Sequence, residues 1–253
     1  MFEIFKQDKQ IGFDEEPSKL EKELLNNKTK IISKMYRLLL DYQVMDEEVK
    51  ATMIRWAQDV GHPIMMDEWE YLYTVTLKFT ASYNIRENIL KMIHRWYLTP
   101  SRLSKMYKQI ANVCWRCGGN NGDFFHMWWT CEKIKIFWGK IYDEIKRMLG
   151  ITFKKKPEVI LLNILDKDIP KKSREVFLYA TAAARILVAK GWKEQEAPKI
   201  IDWQIKVHEY AELALLTNNL RGKSKQQFNE KWNSYKKYVY KYCNKLLTMP
   251  AFE

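Results

Sequence analysis

The spacing Cys114-x2-Cys117-x8-His126-x4-Cys131 constrains this chain more than any other feature. Three thiols and an imidazole within eighteen residues are the soft and borderline donors that zinc takes at tetrahedral corners. A two-residue gap lets a tight turn aim the sulfurs of Cys114 and Cys117 at one ion. Gly118, Gly119 and Gly122, with Asn120 and Asn121, give the backbone freedom to bring His126 round. His126 and Cys131, five apart, can converge from one turn-and-helix segment. Four ligands leave no open position, so the expectation is a single structural Zn2+ rather than a catalytic one. The remaining cysteine, Cys243, sits on a distant apolar helical face and reads as a core thiol.

A knuckle of this size cannot be the whole fold. Gly and Pro number only 9 and 7 in 253 residues, too few for a sandwich that turns every ten residues. With 47% apolar and 29% charged residues, the chain reads as globular and mainly α, with helical domains carrying an inserted Cys-Cys-His-Cys knuckle. Apolar residues recur at helical spacing in several places. Asp46 opens a run through Val49, Met53, Trp56 and Val60 that Gly61 and Pro63 stop. Asn84 and Glu87 resemble a capping box ahead of a stripe at Ile85, Ile89, Met92 and Trp96. Ile134, Trp138, Ile141, Ile145 and Met148 form another stripe, closed by Gly150. Ser173 begins a strongly apolar helix, and a further one runs from Pro198 or Asp202 to about Asn219. Ser224 and Gln227 cap a last helix with Phe228, Trp232, Tyr235, Val239, Tyr242 and Leu246 on one face. Tyr71, Tyr73, Val75, Leu77 and Phe79 alternate as in a strand, but Asp67 and Glu68 and the helical neighbours favour helix. Soft boundaries near residues 100 and 150 divide the chain into an N-terminal helical region (1–100), the knuckle with its following helix (101–150) and a basic helical region (151–253).

The cysteines also bear on compartment. The first ten residues are mixed and charged, unlike a secretory signal. The longest apolar stretch, residues 176–189, is broken by Thr181 and Arg185 and is too short to span a bilayer. No membrane partner is expected, and a reducing, intracellular setting suits metal-bound thiols better than disulfides.

Charge points to a polyanion. The net charge is +12, yet residues 1–70 hold ten Lys/Arg against fifteen Asp/Glu, leaving +17 for the remainder. A basic body of this kind suits RNA or DNA, and no small-molecule substrate is implied. Candidate contacts are Trp115, Arg116 and Trp128 at the knuckle, where rings can stack on exposed bases. At the entrance to the last helix lie Arg221, Lys223 and Lys225, and along it Lys237, Lys241 and Lys245 share one face. The competing reading is a solvated lysine face with aromatics that merely pack around the metal.

Cys114-Trp115-Arg116-Cys117, then Phe125-His126-Met127-Trp128-Trp129-Thr130-Cys131 with Trp138 beyond, resembles the reverse-transcriptase zinc-binding segment of LINE-type, non-LTR retrotransposons. Arg95-Trp96-Tyr97-Leu98-Thr99-Pro100 is similar to the run leading into that knuckle. Trp203, Tyr210-Ala211-Glu212 and Leu220-Arg221-Gly222-Lys223 are similar to the family's C-terminal tail. The resemblance implies a piece of a polyprotein from just beyond the polymerase. Such a piece would bind RNA, support target-primed reverse transcription, contact the reverse-transcriptase portion, and reside in cytoplasm and nucleus as a ribonucleoprotein. The paired aspartates of a polymerase are missing, since the sequence contains no Asp-Asp, so no enzymatic activity is expected. A structural scaffold docking on the polymerase or a host factor is the alternative. A nuclease built on Asp166, Asp168 and Lys171, or on Glu144-Ile145-Lys146, is disfavoured, because such centres are mounted on sheets and this region reads helical.

Overall fold

The computed structural model describes residues 21–22, 33–34, 46–165 and 167–243. Residues 1–51 form one unit, of which 21–22, 33–34 and 46–51 are helical; residues 52–253 form a second. Most of the acidic N-terminal stretch, and Lys245 and Leu246 at the other end, lie outside the described residues. Besides the helical stretches at 21–22 and 33–34, nine α-helices run in order among the described residues: α1 (Asp46–Val60), α2 (Met66–Lys78), α3 (Tyr83–Ile93), α4 (Pro100–Met106), α5 (Glu132–Leu149), α6 (Pro157–Leu161), α7 (Lys171–Lys190), α8 (Ile200–Leu220) and α9 (Lys225–Tyr242). A five-residue π-helical turn, His126–Thr130, precedes α5. Among the described residues there is no strand, and no helix is long and apolar enough to cross a membrane.

The mainly helical expectation is met, and its organising element is α7. This helix is buried almost all round, from Val176 through Ala180 and Ala184 to Val188, and packs against α3, α5, α6, α8 and α9. Small residues at Ala180, Ala182, Ala183 and Ala184 let neighbours approach closely, while Phe177 and Val188 fill the gaps between them. Tryptophans brace this centre. Trp203 on α8 is fully buried and donates its indole N–H to Ala180 O at 2.8 Å. On α9, Trp232 is likewise buried, with rings of Phe228 and Tyr179 5.6 Å away. The positions expected as boundaries near 100 and 150 both fall within the second unit.

Arg185 is fully buried in α7. Its guanidinium donates to Ile160 O (2.5 Å), Asn163 Oδ1 (2.8 Å) and Asn88 Oδ1 (3.3 Å). Burial pulls its pKa down to about 9, with Tyr97 and Tyr210 opposing the shift. Asn163 accepts this charge from a left-handed backbone at φ 61°, a conformation asparagine tolerates better than most residues.

Several helix ends depart from the sequence reading. α3 is capped at Ser82, two residues before the expected cap Asn84, and Ser82 makes no side-chain cap bond. α7 starts at Lys171, behind Pro170, rather than at Ser173. The last helix keeps its expected cap, with Ser224 Oγ accepting from Gln227 N–H at 3.2 Å, and Gly150 closes α5 at φ 64°. On α9, however, Tyr242 is 46% exposed, because the helix ends there and the ring leaves the stripe.

Candidate metal centre

The knuckle is built by three local devices. The first is a turn at the two leading cysteines. Gly118 N–H donates to Cys114 O and Cys114 N–H to Gly119 O, both at 2.9 Å. Gly118 occupies φ 73°, which a side chain would strain. Gly119 N–H points at Cys117 Sγ from 3.4 Å. The second is a close approach at Gly122, whose N–H donates to Asn112 Oδ1 and whose carbonyl accepts from Ser101 N–H. A Cβ on Gly122 would lie 2.5 Å from Pro100 Cβ, so glycine is required for contact, not for dihedral freedom.

The third device is the π-turn. Asp123 Oδ1 accepts from His126 N–H at 2.7 Å and starts the segment as a cap does. Cys131 N–H then donates to His126 O at 2.9 Å, a bond spanning five residues. In an α-helix, position i+5 would lie about 140° round the axis from i. The wider turn brings His126 and Cys131 to the same side, and Cys131 immediately caps α5, accepting from Lys135 N–H at 2.8 Å.

The ligand atoms of Cys114, Cys117, His126 and Cys131 all lie within 4.8 Å of one another. Cys114 Sγ is 3.9 Å from Cys131 Sγ, and Cys117 Sγ is 3.3 Å from His126 Nε2. With Nε2 facing the sulfurs, Nδ1 faces Thr130 Oγ1 at 3.4 Å, an outer contact that orients the ring. Burial pushes the Cys131 thiol up to about 11, with the neighbouring Cys114 adding to it and the backbone N–H groups of Ile134 and Lys133 opposing. At Cys117 burial acts the same way, but the Gly119 N–H and the neighbouring thiols outweigh it and lower its pKa. Burial also holds His126 below its ordinary value, Asp123 opposing, which keeps the imidazole neutral. Without an ion, burial disfavours the thiolate at Cys131, and the clustered donor set of three thiols and a neutral imidazole can hold a metal ion.

Arg116 joins this cluster to the helical body. It is 3% exposed and donates to Met127 O (3.3 Å), Val188 O (3.2 Å) and Gly191 O (2.9 Å), tying the knuckle to the end of α7. Burial lowers its pKa, while Cys131 and Cys114 raise it as anions would. A divalent ion held by three thiolates and a neutral imidazole would carry one net negative charge, which this guanidinium could offset.

Two expected nucleic-acid contacts are therefore corrected. Arg116 faces the core, and Trp128 is fully buried among Tyr97, Trp192 and Phe124, with ring centroids 5.1, 5.3 and 6.2 Å away. The knuckle is set into the helical body instead of projecting from it, so residues beside the ligands serve as packing. Trp138 on α5 completes the joint by donating to Trp128 O at 2.6 Å. Trp115 is half-buried, edge-on to Trp192 at 6.4 Å, with Lys193 Nζ 5.9 Å from its ring.

The other candidates fall on the surface. Arg221 and Lys223 line a cleft of about 260 Å3 with Lys231 and Glu175, which pair at 2.7 Å. Asn218 Nδ2 donates to Lys223 O and Ser224 O and fixes the α8–α9 turn, where Gly222 sits at φ 64°. Lys225 is exposed at the start of α9. Lys237 and Lys241, one turn apart on α9, are exposed, and Lys241 and Arg147 both approach the Tyr242 ring, at 5.2 and 5.4 Å. Lys245 lies outside the described residues. Tyr238, next to Lys237 in sequence, is buried, donating to Glu144 and accepting from Gln204 Nε2 at 2.9 Å. Glu144 also pairs with Arg147. Of the disfavoured nuclease set, Asp168 and Lys171 are exposed and Asp166 is outside the described residues.

The sequence reading missed Asp123 and Thr130. Asp123 was legible as a cap, being an Asp three residues before His126; Thr130 carried no signal apart from the π-turn. No protein-family model matches the chain.

Proposed function

We propose that this chain is a zinc-stabilised, nucleic-acid-binding region, with RNA as the preferred ligand and no catalytic site of its own. The observation that carries the reading is the closed Cys114–Cys117–His126–Cys131 cluster, set into a helical body whose sequence beyond residue 70 is strongly basic. Zinc fits the donor set best among common metals, because it accepts three thiolates and an imidazole with no preferred redox or ligand-field geometry. A tetrahedral zinc bound at about 2.3 Å by sulfur and 2.05 Å by nitrogen has S···S and S···N edges of about 3.8 and 3.6 Å. The 3.9 and 3.3 Å edges here are close to both. With four protein ligands the ion would staple the π-turn to the first two cysteines and do no chemistry.

Exposed cations at Arg221, Lys223, Lys225, Lys237 and Lys241 support phosphate binding, which gives affinity without sequence choice. The resemblance of Cys-Trp-Arg-Cys and His-Met-Trp-Trp-Thr-Cys to the LINE-type zinc-binding segment supports a place beside a reverse transcriptase, where the region would hold element RNA during target-primed copying. One experiment tests the whole reading. Metal analysis of protein purified under reducing conditions should return one zinc per chain, and fluorescence anisotropy over a salt series should give binding to single-stranded RNA that weakens steeply with salt. Absence of zinc sinks the metal assignment. Zinc-loaded protein with no salt-dependent binding to RNA or DNA leaves a scaffold for protein partners.

A further inference from the structure

All ten tryptophans fall among the described residues; six are buried, three are half-buried, and Trp96 alone stands in solvent, 68% exposed. Its position is enforced by the end of α3. Trp96 N–H donates to Lys91 O at 2.8 Å and Arg95 N–H to Met92 O at 3.1 Å, a pairing that requires a left-handed residue at position 95. Glycine is the usual occupant; here it is Arg95, at φ 52°. The Arg95 side chain compensates for the strain. It pairs with Asp59, and its guanidinium carbon lies 5.2 Å from the Trp56 ring and 4.6 Å from the Phe124 ring. A strained residue clamped on three sides, with the effect of presenting a large apolar ring to water, is a costly arrangement for a residue that merely fills space.

Trp96 borders a groove of about 700 Å3 along α3 and the beginning of α4. Tyr83, 76% exposed, stands at the other end of α3, about 15–20 Å away along the axis. Arg86, Lys91 and Arg102 line the same groove with one carboxylate, Glu87, which pairs with Lys91 at 3.0 Å and leaves the lining net positive. Two of these cations are held from behind by backbone: Arg86 Nε donates to Thr80 O at 2.8 Å and one Arg102 terminal nitrogen to Arg95 O at 3.2 Å. That leaves further donors on each guanidinium fork directed elsewhere.

We propose that this groove binds an unpaired stretch of nucleic acid, with bases stacked on Trp96 and Tyr83 and phosphates neutralised by Arg86, Lys91 and Arg102. The proposal rests on the nucleic-acid reading above and moves the stacking surface from the knuckle, whose rings are spent on packing, to α3. Exposed flat rings separated by cations match a single strand, whose bases are free to stack. A duplex offers phosphates but no free base faces, and an acidic peptide would leave both rings without a role.

The test uses the full zinc-loaded chain and labelled oligo(U) and oligo(dT) of about 12 nucleotides, within the size range of single-strand sites. Trp96→Ala should weaken single-strand binding roughly 5- to 150-fold, the range that loss of one base–aromatic stack gives. Trp96→Phe should restore most of it, and binding of a duplex of equal length should not change. Tyr83→Ala should act in the same direction, and Lys91→Gln should lower the salt slope by about 0.7 if it meets one phosphate. Because both rings are exposed, circular dichroism and melting should be unaltered. Binding of either oligo(U) or oligo(dT) with this Trp96 dependence supports the site. If the wild type binds and both ring variants bind equally well, the groove is wrong while the broader reading stands. No binding by the wild type overturns both. Equal, Trp96-dependent binding of poly-glutamate would overturn the nucleic-acid assignment in favour of an acidic peptide.

Discussion

Replacing Arg116 with methionine asks whether the metal site and the helical body are one electrostatic unit. The guanidinium donates to Met127 O, Val188 O and Gly191 O from a position 3% exposed. Methionine refills most of the alkyl volume but leaves three acceptors without their donor. Each buried acceptor so orphaned costs about 1–3 kcal/mol. Gly191 O lies partly open to water and recovers some of this, so a loss of about 3–5 kcal/mol in fold stability is expected. A separate effect falls on the metal. Without the guanidinium, the net negative charge of a zinc-loaded site would go unmatched, and zinc affinity should fall about 10- to 100-fold, the usual size of an outer-shell loss. Competition with a chromophoric chelator, near neutral pH and well below the melting temperature, reads this directly. Arg185→Met serves as the control, since it removes another buried guanidinium with carbonyl and amide partners but sits against Asn88, Ile160 and Asn163 instead of the thiols. It should destabilise the fold comparably while zinc affinity stays within about threefold. Arg116→Lys keeps the charge and loses the fork, and should fall between. Equal zinc affinity in all four proteins, alongside the stability losses, would refute the coupling and leave Arg116 a hydrogen-bonding strut.

Gly122→Ala should lower stability by about 1–3 kcal/mol, because the new Cβ meets Pro100 at 2.5 Å while Ser101 N–H holds the Gly122 carbonyl in place; a thermal melt that does not move would show that the loop gives way. His208 is 3% exposed, and burial lowers its pKa despite Glu212 at 4.0 Å, while Nδ1 meets Tyr235 Oη at 3.0 Å. The unfolded chain therefore binds the proton more readily, so the contribution is complete above about pH 6.5 and is lost as pH falls through the lower folded value. Urea midpoints should drop on acidification, and by less in His208→Gln, with the proton competition at the metal site common to both; identical drops would remove His208 from the account. Reversing Lys237, Lys241 and Lys245 to Glu should weaken RNA binding for all sequences alike and reduce the salt slope by about 0.7 per lost phosphate contact, with the buried face of Phe228, Trp232, Tyr235 and Val239 untouched. An unchanged slope in the folded variant would make α9 scaffold only.

The metal-capable cluster was legible because metal coordination is a matter of residue type and spacing, and both are written locally. The helices were legible for a related reason: stripes such as Ile134, Trp138, Ile141, Ile145 and Met148 need only a period, and all five residues are buried. Neither signal says which side of an element meets the rest of the molecule. Trp115, Arg116 and Trp128 all lie within two residues of a ligand in sequence, yet one is half-buried and two are core. The difference comes from α7, whose terminal carbonyls at Val188 and Gly191 lie more than seventy residues from Arg116 and receive its guanidinium.

Trp96 makes the same point from the opposite direction. Its spacing from Ile85, Ile89 and Met92 continues a helical stripe, and periodicity alone assigns it to the core. Periodicity assumes that the helix goes on, and this one stops at Ile93 because Arg95 takes up a left-handed backbone. No glycine marks the stop; it is held instead by an ion pair to Asp59 and by two rings, one of them, Phe124, contributed by the knuckle itself. The clamp therefore links the two parts of the molecule. A metal held by the cluster would also steady Phe124 and the turn that presents Trp96, so removing it should reach the α3 groove through Arg95. Chelation of the intact chain is then expected to weaken single-strand binding even though none of the four ligands touches the groove.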